Sequence, residues 1–353
     1  MSGYRVRRRR WLVWLSPFVL VVLAVTAWTW WAEEHPRDER ELRVRVHELL
    51  DEQFPERMRL PADRIGFEPL TEKTVDSPDV ILLHGLDEPG GIWDALAPAL
   101  RAAGWNPRAF RYPNDQAIDR SANLLAEHWH ELPAEQPVVL IGHSMGGLVI
   151  RDFVSRHRYP VDGFHGARGA AVKGVILVAP PNRGSPWARL RMWLELREFL
   201  ARLGEADFSP FVPLQGGTGA AKVDLRPGSA FLDELNARPW PADVPVRIIG
   251  GRLTQGEADF PQRMEDLAEQ VGVDGVSDEF RANLEAVGAG LGDGVVPVSS
   301  LPLPEAPPPL LLDASHRGLL VSDNGEPPAI APILAILRQW RISAASSSAS
   351  EGS

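Results

Sequence analysis

Residues 137–146 read PVVLIGHSMG and decide the fold of this chain. The first five are an apolar run, and the residues that follow, GLVIRDFV at 147–154, have the pattern of a helix. A serine with a glycine two positions away on each side predicts a tight, strained turn between a buried strand and that helix. Such a turn exposes the hydroxyl of Ser144 above the edge of a sheet, which is the geometry of a nucleophile elbow.

The composition of the chain limits its size class and its partners. With 353 residues, 44% of them hydrophobic, the chain can bury one large core and still carry appended segments. Its formal net charge of −10 argues against a nucleic-acid partner, which generally needs a basic face. The chain has no cysteine, so disulfides and thiolate catalysis are excluded.

Apolar segments alternate with helical ones from Val80 onward. Strands that are apolar along nearly their whole length, with helices between them, predict a parallel sheet covered on both faces. The predicted strands are Val80–Leu83, Val138–Ile141, Val172–Val178, Val244–Ile249 and Leu310–Leu312. The predicted helices include Ile92–Ala103, Arg120–Leu132 and Leu148–Arg158.

Six short motifs follow one another in a fixed order. They are LLHGL at 82–86, GHSMGG at 142–147, APPNRGSP at 179–186, LRPGS at 225–229, GDGVVP at 292–297 and SHRGLL at 315–320. The outer motifs are unspecific alone, but their joint order resembles the α/β-hydrolases, and among them the bacterial lipases and esterases of the triacylglycerol lipase and inositol-deacylase-like branch. The resemblance covers residues 79–320. It implies an α/β-hydrolase fold, with a mostly parallel central sheet flanked by helices and a helical cap insertion.

The resemblance implies a triad in the chain order serine, acid, histidine. No histidine other than His316 follows position 165 in the sequence, so we expect His316 to be the general base. Asp293, in the GDGVVP turn, is the expected acid that orients this base. More than forty residues separate Asp293 from the strand Val244–Ile249, where many relatives have a short loop. Three other aspartates therefore remain rivals for the acid, namely Asp274, Asp278 and Asp313.

The oxyanion hole is expected to consist of two main-chain N–H groups, those of Leu86 and Met145. His84 is expected to brace the loop before Leu86 by hydrogen bonding. The side chain of His143 is expected to point away from the serine, so neither histidine is expected to be the base.

We expect no cofactor and no metal. His128 and His130 are two residues apart, so their side chains diverge on a helix and do not share an ion easily. The GGTG stretch at 216–219 lacks the lysine and the spacing of a phosphate-binding loop.

The beginning of the chain predicts a membrane anchor. The apolar run at 11–32 has the length of a bilayer's hydrocarbon core, carries tryptophans at both ends and follows five arginines, which favour the cytoplasmic side. We therefore expect a cytoplasmic basic segment at 1–10, a transmembrane helix at 11–32, and a location in the cell membrane with the catalytic domain outside. The alternative is a cleaved signal peptide with VTA at 25–27 as its cleavage site.

The rest of the chain divides into a stalk or lead-in at 33–77, a hydrolase domain at 78–342, and a disordered Ser/Ala-rich tail at 343–353. A cap insertion is expected within the domain at about 182–243. Apolar residues recur in it at helical spacing, as a surface for an acyl chain or as packing of the cap onto the domain. The expected substrate-binding residues are Trp187, Leu190, Trp193 and Leu194.

Together these features predict a membrane-anchored serine hydrolase of carboxylic esters, with lipid-like or acyl-ester substrates and the bilayer as a partner. Two kinds of alternative remain open. An acyltransferase or a thioesterase would have the same triad, and a catalytically silent, membrane-tethered interaction module would have kept only the fold. The sequence predicts no oligomeric state.

Overall fold

The computed structural model describes residues 27–28, 30–61, 64–72, 77–86, 88, 91–161, 163, 166–188, 214–253, 292–304, 306–322 and 325–350. In this part of the chain, seven strands form one sheet in the order β1-β3-β2-β4-β5-β6-β7. All neighbours pair in parallel, except that β1 runs antiparallel to β3. The strands are β1 Gly66–Pro69, β2 Asp79–Leu83, β3 Asn106–Arg111, β4 Val138–His143, β5 Val172–Val178, β6 Val246–Arg252 and β7 Leu310–Asp313.

Helices cover the sheet on both faces. They are α1 Pro36–Gln53, α2 Pro55–Met58, α3 Leu96–Ala102, α4 Ile118–His128, α5 Met145–Asp152, α6 Ala220–Asp224, α7 Ala230–Ala237 and α8 Ile330–Ser350. Short 3₁₀ or π turns follow at Trp129–Glu131, Phe153–Arg158 and Val298–Ser300.

The core has two layers because successive side chains of a strand point to opposite faces. In β2, Ile81 and Leu83 join the cluster that holds α4, α5 and α7, whereas Val80 and Leu82 join the cluster that holds α3 and α8. Both β2 and β4 are buried along their whole length. The predicted mostly parallel sheet flanked by helices is therefore confirmed.

Strands β1 and β3 were not predicted from the sequence. β1 has four residues and lies at the edge of the sheet, and β3 carries Pro107 and two arginines. Neither segment shows the continuous apolar run used to recognise a strand. An edge strand such as β1 tolerates short length and charge because part of its backbone needs no ladder partner. β3 lies inside the sheet, between β1 and β2, where a proline without an N–H to donate argues against a strand.

Helix α1, from the segment 33–77 predicted as a stalk or lead-in, is packed against residues of the hydrolase domain; the predicted division of the chain stays a prediction. The buried Glu39 of α1 makes ion pairs with Arg226 at 2.8 Å and with Arg43 at 2.8 Å, and Arg40 pairs with the buried Asp224 at 2.5 Å. Some of the charges in α1 are therefore buried in pairs. Strand β1, from the same segment, extends the sheet.

The predicted location in the cell membrane is corrected by the structure. Among the described residues, no helix is both long enough and apolar enough to cross a bilayer. The C-terminal end of the predicted 11–32 span is packed on the domain, with Ala32 fully buried and its carbonyl oxygen 3.4 Å from the Nη1 of Arg226. Helix α1, which follows, has ten charged residues among eighteen. Positions 1–26 and 29 lie outside the described residues.

The predicted cap insertion and the predicted tail are described in part. Of the cap insertion at about 182–243, residues 182–188 and 214–243 are described, and they include α6 and α7. Helix α8 runs to Ser350 and so includes part of the tail predicted at 343–353, whose residues 351–353 lie outside the described residues.

Candidate active site

Ser144 lies at the turn between β4 and α5, in a backbone conformation that a non-glycine residue seldom adopts. Its φ is +54° and its ψ is −128°, and its N–H donates to the carbonyl oxygen of Val178 at 2.8 Å. A Cβ on Gly146 would lie 2.3 Å from the carbonyl oxygen of Leu83, so a glycine is needed for α5 to start this close to β2. The strained turn at Ser144 is the predicted strand–turn–helix geometry.

Asp293 lies beside the end of β6 despite the long segment that separates it from this strand. The N–H of Leu253 donates to the carbonyl oxygen of Gly292 at 2.6 Å, so the two described ends that flank positions 254–291 lie side by side. A Cβ on Gly251 would lie 2.7 Å from the Cβ of Asp293, and only glycine permits this approach. The insertion therefore leaves the acid at the carboxyl edge of the sheet, where ligands of such sheets bind.

Asp293 and His316 form a pair in which the carboxylate is buried. The Nδ1 of His316 is 2.8 Å from the Oδ2 of Asp293, and the main-chain N–H of His316 donates to the carbonyl oxygen of Asp293 at 2.8 Å. The other carboxylate oxygen accepts hydrogen bonds from the N–H groups of Val295 and Val296 at 2.9 and 2.8 Å. Asp293 is 2% exposed. Since both oxygens have donors, the carboxylate is fixed in one orientation.

The rival acids do not occupy this position in the part of the chain that the structure describes. Asp313, at the end of β7, is largely exposed and pairs with Arg252 at 2.8 Å. Asp274 and Asp278 lie outside the described residues.

The loop that carries Leu86 abuts the nucleophile. A Cβ on Gly85 would lie 2.9 Å from the Cβ of Ser144, which fixes the distance between this loop and the elbow. The other predicted donor belongs to Met145, the first residue of α5, and the first N–H groups of a helix have no partner within it. Both N–H groups are thus on segments that adjoin Ser144, and their joint role stays a prediction.

Three side chains, those of Tyr112, Asn114 and His84, make contacts with the loop that carries Leu86. The hydroxyl of Tyr112 donates to the carbonyl oxygen of His84, and the Nδ2 of Asn114 donates to that of Gly85 at 3.3 Å. The ring of His84 stacks on Tyr112 at 4.5 Å, and its Nδ1 lies 3.0 Å from the carbonyl oxygen of Gly85. Burial raises the pKa of Tyr112 and lowers the pKa of His84, so both rings are neutral near pH 7. His84 braces the loop as predicted, but Tyr112 and Asn114 were missed.

The APPNRGSP motif at 179–186 makes hydrogen bonds to the segment that carries and follows Asp293, here called the acid loop. This role was not predicted from the sequence. The Oγ of Ser185 donates to the carbonyl oxygen of Val295 at 2.6 Å, and the Nδ2 of Asn182 donates to that of Leu301 at 2.6 Å. Both side chains are buried. The sequence signal for this role is a pair of small polar residues next to glycine and proline, directly after a buried strand. The sequence does not show their hydrogen-bond partners, because these lie more than a hundred residues away along the chain.

The predicted substrate-binding residues are covered only in part. Trp187 is half-buried directly after the APPNRGSP motif, whereas Leu190, Trp193 and Leu194 lie outside the described residues. In the described ranges, no three histidine, aspartate or glutamate side chains are grouped so that they could hold a metal ion.

Comparison with known proteins identifies related chains. The profile described as the alpha/beta hydrolase family matches residues 80–346. A pyrethroid hydrolase of Sphingobium wenxiniae is 31% identical over 130 residues, which are 31% of this chain and 44% of that protein. A pimeloyl-[acyl-carrier protein] methyl ester esterase of Aromatoleum aromaticum is 32% identical over 120 residues, again 44% of that protein. The chain therefore spans less than half the length of these curated relatives.

Solved structures show the same fold. The mature lipase BlEst2 of Bacillus licheniformis is 18% identical with a TM-score of 0.50, over 76% of this chain and 96% of that one. A lipase of Staphylococcus hyicus is 13% identical with a TM-score of 0.50, over 78% of this chain and 100% of that one. At these identities the likeness concerns the fold alone.

Proposed function

Because this chain belongs to the alpha/beta hydrolase family, we propose that it hydrolyses carboxylic esters with Ser144 as its nucleophile. His316 is the general base and Asp293 the acid that orients it. The N–H groups of Leu86 and Met145 bind the oxyanion. One observation carries the proposal: the imidazole of His316 is paired at 2.8 Å with a buried carboxylate whose other oxygen is saturated by main-chain donors.

The reaction follows from the chemistry of these groups. The hydroxyl of Ser144 attacks the ester carbonyl, and the Nε2 of His316 takes its proton. The negative charge that develops on the carbonyl oxygen is stabilised by the two N–H groups. His316 then returns the proton to the leaving alcohol, and a water molecule, activated by the same base, cleaves the acyl-enzyme. Throughout, Asp293 remains an anion and stabilises the imidazolium that forms twice in the cycle.

The proposed substrate carries an apolar acyl group. The support is the helical spacing of apolar residues in the segment inserted between β5 and β6, which begins beside the acid loop. The proposed acyl-binding residues are Trp187, Leu190, Trp193 and Leu194. The names of the two curated relatives, a hydrolase and a methyl ester esterase, are compatible with ester chemistry.

The test is a panel of p-nitrophenyl esters of increasing acyl length, assayed with the full chain and with Ser144→Ala. We expect hydrolysis by the natural chain, a preference among acyl lengths, and the loss of activity in a folded Ser144→Ala variant. A thioester and an added alcohol acceptor belong in the same panel. Faster release from the thioester, or a new ester in place of the free acid, would favour the thioesterase or acyltransferase alternative.

Folded protein that hydrolyses none of these esters would contradict the proposal, and so would equal rates for the two chains. Circular dichroism and a thermal melt establish that each preparation is folded.

A further inference from the structure

His143, the last residue of β4, contacts the base through a side chain that was expected to point away from the serine. Its Nε2 lies 3.2 Å from the main-chain carbonyl oxygen of His316. The two imidazole rings are 4.7 Å apart between centroids and tilted by 46°. His143 is 3% exposed. The contact therefore joins the strand that carries the nucleophile to the loop that carries the base.

The partner of His143 determines its tautomer and its charge. A carbonyl oxygen can only accept a hydrogen bond, so the Nε2 of His143 must carry the proton. Within the described part of the chain, the Nδ1 of His143 has no hydrogen-bond partner. Burial lowers the pKa of His143 well below its ordinary value, as does the nearby His316. A neutral ring at this distance can hold His316 without repelling the imidazolium that forms there during turnover.

The topology of the sheet explains why such a contact is needed. Strands β4 and β7 are separated by β5 and β6, so no ladder of hydrogen bonds fixes Ser144 relative to His316. The other two hydrogen bonds of His316, from its N–H and its Nδ1, both lead to Asp293 on the acid loop. Among these three bonds, the one from His143 leads directly to the strand of the nucleophile.

We propose that His143 is a positioning residue that sets the distance between nucleophile and base, by holding the main chain of His316 from the end of β4. This inference rests on the proposed function, in which the Nε2 of His316 must reach the hydroxyl of Ser144. A displacement on the order of 1 Å between reacting groups can lower a rate by about a hundredfold.

The test compares four variants with the natural chain. His143→Gln keeps a donor near the position of Nε2, His143→Asn has a donor one methylene too short, and His143→Leu has none. His157→Leu is the matched control, because His157 is a partly buried histidine whose Nε2 is likewise hydrogen-bonded, to the Oδ1 of Asn123 at 2.9 Å, and it takes no part in the proposed site.

We expect His143→Leu and His143→Asn to lower kcat by about 10- to 100-fold with little change in KM. His143→Gln should recover most of that loss, and His157→Leu should keep the natural kcat. Where His143→Leu does not fold, the Asn and Gln variants decide, since both are polar and differ by one methylene. A natural kcat in the Asn or Leu variant, or a Gln variant no better than Asn, would overturn the proposal.

A second readout needs no turnover. The proton shared by the Nδ1 of His316 and Asp293 is expected to give a far-downfield proton resonance, sharp in the natural chain and in His143→Gln, and broadened in His143→Asn. If this pattern occurs in a chain without esterase activity, the proposed function fails and the positioning role stands. If the resonance is the same in all variants of an active chain, the positioning role fails.

Discussion

Replacement of Asp293 by asparagine separates the role of the acid's charge from the role of its shape. The carboxylate uses one oxygen for the Nδ1 of His316 and the other for the N–H groups of Val295 and Val296. Asparagine has one oxygen and one NH₂ group of similar size. If the NH₂ group faced the two N–H donors, three donors would meet with no acceptor, so the oxygen must take that position.

The NH₂ group of the introduced asparagine then faces His316. An imidazole next to a donor accepts at Nδ1 and carries its proton on Nε2, which is the tautomer that cannot remove a proton from Ser144. The loss expected for this wrong tautomer in a serine triad is on the order of 10⁴-fold in kcat. This corresponds to about 5 kcal/mol of transition-state stabilisation.

The assay is the rate of ester hydrolysis per folded molecule, with Asp313→Asn as the matched control. Asp313 pairs with Arg252 near the surface, and exposed pairs contribute little, so its variant should keep kcat within about twofold. Thermal melts should place both variants close to the natural chain. A greater loss in Asp313→Asn than in Asp293→Asn would refute the assignment of the acid, and a fully active Asp293→Asn would refute the tautomer argument.

Three further predictions concern stability. Ser144→Gly should be more stable than Ser144→Ala by about 1 kcal/mol, as measured by urea unfolding, because glycine relieves the strain at a φ of +54°. Part of this gain is offset by the greater backbone entropy that glycine loses on folding. Equal stability of the two variants would show that the turn is unstrained. Gly146→Ala should lower stability by about 1–3 kcal/mol or prevent folding, because its Cβ would meet the carbonyl oxygen of Leu83, and an unchanged melting temperature would contradict this close approach. Burial raises the pKa of Asp224 from 3.8 to about 6, against the effect of Arg40. A raised folded-state pKa contributes stability that is present below pH 3.8 and lost as the pH rises through 6, by at most about 3 kcal/mol. The natural chain should therefore lose stability relative to Asp224→Asn between pH 3.8 and about 6, and a difference independent of pH would count against a raised pKa.

The elements that position Ser144 could be predicted because each has a local signal. β4 is a continuous apolar run, α5 follows at once, and the glycines around the serine mark the turn. The ends of strands were less certain: the strand predicted at Val244–Ile249 is found at Val246–Arg252. β1 and β3 could not be recognised, because their short or charged sequences become strands only beside the strands they pair with.

The rest of the site depends on contacts between distant parts of the chain. Asp293 was recognisable from its motif, but the hydrogen bond between Leu253 and Gly292 that returns the chain to β6 was not. The contact of His143 with His316 exists only because the loop after β7 comes to lie at the end of β4. The buried ion pair between Glu39 and Arg226 was missed for another reason: charged residues are seldom buried, so a charged helix is usually interpreted as solvated.

The most direct test of the proposed mechanism is labelling of the full chain with a fluorophosphonate, followed by mass spectrometry of the labelled peptide. An activated serine forms a stable phosphonyl adduct, and an ordinary surface serine does not. The account predicts a single adduct on Ser144, absent from folded Ser144→Ala and strongly slowed in Asp293→Asn. An adduct on another serine, or equal labelling of the natural chain and Ser144→Ala, would contradict it.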